Sequence, residues 1–139
     1  MLFLKFSKKR GQVFCAPGGK VENFETPTMC IMREFKEETG LELLNPTLKG
    51  ISYWNRMDKE LGVIYFYGAT DYKGELLVTS EEGSLDWIPV EDITQLPQFD
   101  MNIKLTPYLL KDATATGIFE GYFDLHEDNT VKKYTIRNI

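Results

Sequence analysis

Between Gly19 and Leu41 the chain reads GKVENFETPTMCIMREFKEETGL, and no other stretch limits its fold so tightly. A helix is punctuated at both ends: Thr26 is a good N-cap, Pro27 suits the first helical position, and Gly40 supplies a left-handed residue after the last turn. The spacing predicts a helix over 27–39. At roughly 100° per residue, Thr28, Ile31, Met32 and Phe35 gather on one side, which is expected to pack. Glu34, Glu37 and Glu38 fall together on an adjoining side. Like charges at i, i+3 and i+4 repel by roughly 0.2–0.5 kcal/mol per pair, so an isolated helix gains nothing from them. A hard divalent cation reverses that sign, and Mg²⁺ in particular combines one or two protein carboxylates with waters and substrate phosphates. The bland alternative is a solvated Glu/Lys helix.

At 139 residues the chain is expected to form one domain, 1–139, large enough to bury a core. Its net charge of −5 disfavours a nucleic-acid polymer as partner, because there is no basic surplus to release counterions. Cys15 and Cys30 form no CxxC pair and neither is near a histidine, which points to a reduced, cytoplasmic protein without a zinc site. Cys30 is expected in the core, and His126, the single histidine, in a surface turn. The opening MLFLKFSKKR places apolar residues before its charges, the reverse of a secretory signal, and its apolar run is too short to span a bilayer. It reads as a strand, Leu2 to Phe6, and a basic turn; Lys8, Lys9 and Arg10 either steer a phosphorylated substrate or form an exposed loop.

The pattern G-x5-E-x7-R-E-U-x-E-E-x-G-U, with U a bulky aliphatic, is the signature of the Nudix hydrolases. The chain resembles that family at Gly19, Glu25, Arg33, Glu34, Glu37, Glu38, Gly40 and Leu41. Only Phe35 departs, and it keeps a large apolar side chain at its position. The resemblance implies an α/β fold, the Nudix α/β/α sandwich with a mixed β-sheet and a loop–helix–loop catalytic motif, here 19–41. It implies hydrolysis of a nucleoside diphosphate linked to another moiety. By that analogy Glu34, Glu37 and Glu38 hold Mg²⁺, or Mn²⁺ in its place, with the carbonyl of Gly19 as a further ligand. Arg33 orients the glutamates, and Glu25 braces the loop or binds metal indirectly.

Beyond this box, strands are expected at Gly50–Trp54, Gly62–Ala69, Glu75–Val78 and Leu85–Ile88. A short helical segment opens at Pro89, a helix covers about Asn102–Lys111, and a hairpin pairs Gly117–Leu125 with Val131–Arg137 around the turn His126–Thr130. SEEGSLDWIPVEDI resembles the segment of triphosphate-hydrolysing relatives that places an acid before a strand. On that likeness Glu82 is an extra metal ligand or the general base, or else a loop acid. GYFDLHEDNTVKKYTIRNI resembles the terminal hairpin of oxidised-purine nucleoside triphosphatases. In those enzymes residues ahead of the last helix hold the base, which makes Phe99, Asp100 and Asn102 candidate substrate contacts, with Lys20 inside the box. The competing roles are Phe99 as a core anchor and Asp100 as a helix cap. Cys15 falls where purine-specific relatives can carry an amide.

Only eighteen residues precede Gly19, less than the family usually has, so either the start is late or an edge strand is missing. A bare edge invites pairing; the chain is expected as a monomer or a homodimer. Three functions follow from the resemblance. The first is a nucleoside triphosphate pyrophosphohydrolase releasing a monophosphate and pyrophosphate, with 8-oxo-dGTP or related oxidised purine nucleotides as substrates. The second is an ADP-ribose or sugar-nucleotide pyrophosphatase, and the third a non-catalytic nucleotide-binding regulator. In each the partner is a small nucleotide, with no membrane involved.

Overall fold

The computed structural model describes the backbone of residues 2–6 and the whole of residues 13–81, 83–111 and 117–139. In chain order its elements are β1 (Leu2–Phe6), β2 (Phe14–Cys15), α1 (Pro27–Thr39), β3 (Glu42–Leu44), β4 (Thr47–Arg56), β5 (Glu60–Gly68) and β6 (Asp71–Lys73). They continue with β7 (Thr79–Ser80), β8 (Gly83–Trp87), a 3₁₀ helix (Val90–Gln95), α2 (Asp100–Leu109), β9 (Phe119–Leu125) and β10 (Val131–Asn138). Two compact units result, Met1–Pro46 with Ala69–Gln98, and Thr47–Gly68 with Phe99–Ile139.

In the first unit, α1 has the bounds its punctuation predicts. Thr26 Oγ1 accepts the Met29 N–H at 3.2 Å. At the other end Gly40, with φ +78°, donates its N–H to Lys36 O, which closes the last turn as a left-handed cap does. An antiparallel sheet runs in the order β2-β1-β8-β7, and β3 pairs with β6 separately. The strand expected at Glu75–Val78 does not form. Leu77 donates its N–H to Thr39 O at 2.8 Å, and Glu75 O and the Leu77 side chain lie against Gly40. The segment satisfies the end of α1 in place of a sheet neighbour. The expected packing side of α1 also needs correcting: Thr28 and Met32 are exposed, whereas Cys30 and Thr39 are buried. Ile31 and Phe35 are half-buried; Cys30 is met by the loop ahead of the helix, whose Gly19 O it contacts, and Thr39 by the segment that donates the Leu77 N–H.

The second unit carries a mixed sheet in the order β10-β9-β4-β5. β9 runs parallel to β4, from Gly50↔Phe119 to Arg56↔Leu125, and the sheet's other two pairs, β10 with β9 and β4 with β5, are antiparallel. Along β9 the alternation of period two buries Phe119, Gly121, Phe123 and Leu125 and leaves Glu120, Tyr122 and Asp124 outward. Phe119, Phe123 and Leu125 join Leu105 of α2 in the core, with Trp54, Phe66 and Ile136 packed around them. Phe123 stacks on Tyr134 at 5.5 Å between ring centroids. The helix begins two residues earlier than expected, after Phe99 as N-cap, and the hairpin turn is His126–Thr130, with His126 exposed as anticipated. Among the described residues no helix is long and apolar enough to cross a membrane.

Candidate functional site

The loop from Gly18 to Glu25 lies along the acidic side of α1, and Arg33 is the post on which it hangs. Its Nε donates to Glu25 Oε1 at 2.7 Å and its Nη2 to Glu25 Oε2 at 3.0 Å, a bidentate pair that fixes direction as well as charge. Nη1 donates to Glu34 Oε1 at 2.6 Å and to Glu37 Oε2 at 3.3 Å. Nη2 also reaches Lys20 O at 3.2 Å, so the loop backbone and two helix acids share one guanidinium. Glu25 Oε2 further accepts the N–H of Glu22 at 2.9 Å.

The electrostatics follow from these contacts. The Arg33 guanidinium, helped by the Glu22 N–H, holds the Glu25 carboxyl at about 2, against an ordinary value of 4.5. Arg33 is pushed further up by hydrogen bonds to Glu25 and Glu34. Burial, then the Glu25 carboxylate, raises the Cys30 thiol, so it stays protonated and donates to Gly19 O at 3.7 Å.

Two glycines bring the loop close. Gly18 donates its N–H to Glu38 Oε2 at 2.9 Å, and Gly19 packs so near Glu34 that a Cβ there would collide with its carboxylate. Glu34, Glu37, Glu38, Arg33, Gly19 and the backbone of Lys20 are therefore gathered in one place, as the sequence indicates, while the Lys20 side chain is exposed. Phe99, Asp100 and Asn102 belong to the second unit. Asp100 caps nothing on its own helix; its Oδ2 accepts the Val131 N–H at 2.7 Å and ties the start of α2 to the start of β10. The two residues lie 31 positions apart, and no local pattern in the sequence marks either as the other's partner. Glu82 and Lys8–Arg10 lie outside the described residues.

The donor set suits a hard divalent cation, since every candidate ligand is a carboxylate or carbonyl oxygen. Among the described residues no three acidic, histidine or cysteine side chains converge on one point. Glu34 and Glu37 close instead on Arg33 Nη1, so the pair already clasps a cationic group.

The NUDIX domain family matches the chain over residues 1–109. This chain belongs to the Nudix family. It is 33% identical over 124 residues to the uncharacterized Nudix hydrolase YvcI of Bacillus subtilis, a match covering 86% of this chain and 77% of that one. It is 35% identical over 68 residues to the 8-oxo-dGTP diphosphatase of Proteus vulgaris, 49% of this chain and 58% of that protein. Among solved structures, the MutT protein of Bacillus halodurans matches with a TM-score of 0.88 and 29% identity, over 97% of this chain and 88% of that one. These matches show the α/β Nudix sandwich as the fold class. As a Nudix hydrolase the protein belongs among enzymes that act on small nucleotide substrates and generally use divalent metal ions.

Proposed function

We propose that this Nudix protein is a Mg²⁺-dependent nucleoside triphosphate pyrophosphohydrolase, with Mn²⁺ able to substitute, that splits a triphosphate into a monophosphate and pyrophosphate. The substrate is 8-oxo-dGTP or a related oxidised purine nucleotide. The observation that carries the reading is the single guanidinium that aligns Glu25, Glu34 and Glu37 beneath a glycine loop. The likeness to the Proteus vulgaris 8-oxo-dGTP diphosphatase and to the Bacillus halodurans MutT protein supports the substrate.

Glu34, Glu37 and Glu38, with the carbonyl of Gly19, would hold the metal. When bound, it neutralises phosphate charge and lowers the pKa of a bound water. The chain itself supplies positioning, which carries most of the rate in phosphoryl transfer. Arg33 fixes the carboxylate directions, Glu25 fixes Arg33, and the Gly18 N–H restrains Glu38. Glu82 is assigned as a further acid, either ligand or general base. Phe99 and Asn102 are assigned to the base, Lys20 to the phosphates, and Asp100 to the base edge through the oxygen that does not hold Val131. The reading carries a cytoplasmic location with it, which fractionation checks.

The test is pyrophosphate and phosphate release with Mg²⁺ from 8-oxo-dGTP, dGTP, other triphosphates, ADP-ribose and a dinucleoside tetraphosphate, ranked by kcat/KM. Preference for the oxidised purine with pyrophosphate as product is expected, and Glu37→Gln is expected to abolish most of it. Turnover confined to ADP-ribose or to the tetraphosphate refutes the substrate assignment.

A further inference from the structure

Glu22 to Glu25 form a turn closed by the Glu25 N–H on Glu22 O at 3.2 Å. Its third residue, Phe24, has φ +60°, and turns with positive φ at the third position favour glycine or asparagine there. Asn23 stands immediately beside it, yet the aromatic residue occupies the strained position. Its side chain is fully exposed, at 105%, so the ring repays none of that strain by burial. Of the other non-glycine residues with positive φ, Asn45, Asp58 and Asn129 are of the types that tolerate it. Met57 and Asp58 are the two central residues of the Arg56–Lys59 turn, closed by the Lys59 N–H on Arg56 O at 3.1 Å, and a turn with positive φ at both central residues is a defined type. Phe24 alone among them combines a bulky ring, a left-handed backbone and complete exposure.

The backbone beneath the ring is rigidly placed. Both oxygens of Glu25 accept from Arg33, and Arg33 also donates to Lys20 O at 3.2 Å, so the chain is fastened to the acid cluster on either side of Phe24. Val21 and Met29 are exposed as well, at 47% and 54%, and Met29 lies one helical turn before Arg33, on the same face. Val21, Phe24 and Met29 are thus exposed apolar residues within four positions of Glu25, whose carboxylate pairs with Arg33. On the reading above, in which the acids would hold a metal that takes the phosphates, a ligand matched to that combination has a polyanionic end and a flat ring, as a nucleotide does. Strained residues persist where the surrounding structure holds them, and they cluster at active sites and ligand clamps.

We infer that Phe24 is a substrate-contact residue that stacks on the base of the nucleotide whose phosphates engage the acid cluster. The inference rests on the nucleotide reading above and deepens it. Base–aromatic stacking tolerates any base, so Phe24 contributes affinity and leaves base identity to other residues.

The test compares the parent with Phe24→Gly and Phe24→Tyr. Glycine suits the left-handed backbone, so Phe24→Gly is expected to melt no lower than the parent, which separates lost contact from lost fold. Its KM for the preferred nucleoside triphosphate is expected to rise about ten-fold with kcat held, while kcat/KM for methyl triphosphate, which has no base, stays unchanged. Phe24→Tyr is expected to restore the parental KM. A direct reading that needs no turnover is the quenching of a 2-aminopurine nucleoside α,β-methylene triphosphate, present in the parent and lost in Phe24→Gly. Equal quenching in both proteins, or an equal loss on methyl triphosphate, overturns the inference. A parent that hydrolyses no nucleotide but quenches the analogue through Phe24 refutes the proposed activity and leaves the contact standing.

Discussion

Gly19→Ala isolates the coupling between the loop and the acid cluster. A Cβ at residue 19 would lie 2.5 Å from Glu34 Oε2 and nearer still to Oε1, where ordinary contact begins at 3.4 Å. The carboxylate must therefore move by at least the gap between these, about 0.9 Å. It is the far end of a flexible side chain, so it can swing aside without disturbing backbone, and the stability change is expected to be confined to the lost contact with Arg33, about 1 kcal/mol. The swing breaks the 2.6 Å bond to Arg33 Nη1, however, and takes Glu34 out of register with Glu37. Misplacing a catalytic group by about 1 Å costs on the order of 100-fold, which is about 2.7 kcal/mol of barrier. The assay is metal-dependent pyrophosphate release by parent and variant, with thermal melts alongside. A variant that retains kcat/KM within roughly three-fold, a far smaller loss than that misplacement predicts, refutes the reasoning, because Glu34 would then work from either position.

Three further outcomes follow from the geometry. The Glu25 carboxyl titrates at about 2 in the folded protein against 4.5 ordinarily, so its pair with Arg33 stabilises fully above about pH 4.5 and loses that contribution as pH falls toward 2. Melting temperatures taken across this window should fall more steeply for the parent than for Glu25→Gln, and parallel curves would remove the pair from the stability account. Asp100→Ala leaves the Val131 N–H without its 2.7 Å acceptor, which should cost about 1–3 kcal/mol in urea unfolding; unchanged stability with a raised KM would give Asp100 to the substrate alone. Gly40→Ala puts a side chain on a left-handed residue at φ +78° with its Cβ 2.7 Å from Glu75 O. It should destabilise by about 2 kcal/mol or more in the same assay, since backbone cannot swing aside as Glu34 can.

How much of this could be read in advance follows the range over which each feature is decided. The bounds of α1 are decided by Thr26, Pro27 and Gly40, all touching the helix itself, and they were legible to the residue. The acid side was legible for the same reason, and the family resemblance implied that Arg33 orients the glutamates, as its bonds to Glu34 and Glu37 do. The loop is intermediate: Glu25 could be recognised as a brace, but that it takes Arg33 with both oxygens depends on how the Glu22–Glu25 turn closes. Glu75–Val78 was misread because its composition suits a strand, while the unfilled carbonyl of Thr39 at the end of α1 was a stronger claimant for the Leu77 N–H. The parallel pairing of β4 with β9 and the Asp100–Val131 bond join residues far apart in sequence, and neither partner carries a mark of the other. Phe24 runs the opposite way. Its local context calls for glycine or asparagine, and the sequence supplies a phenylalanine that the fold leaves strained and exposed. A local rule broken without compensation inside the chain directs attention outside it, and there the base of a bound nucleotide is the partner whose chemistry fits the ring.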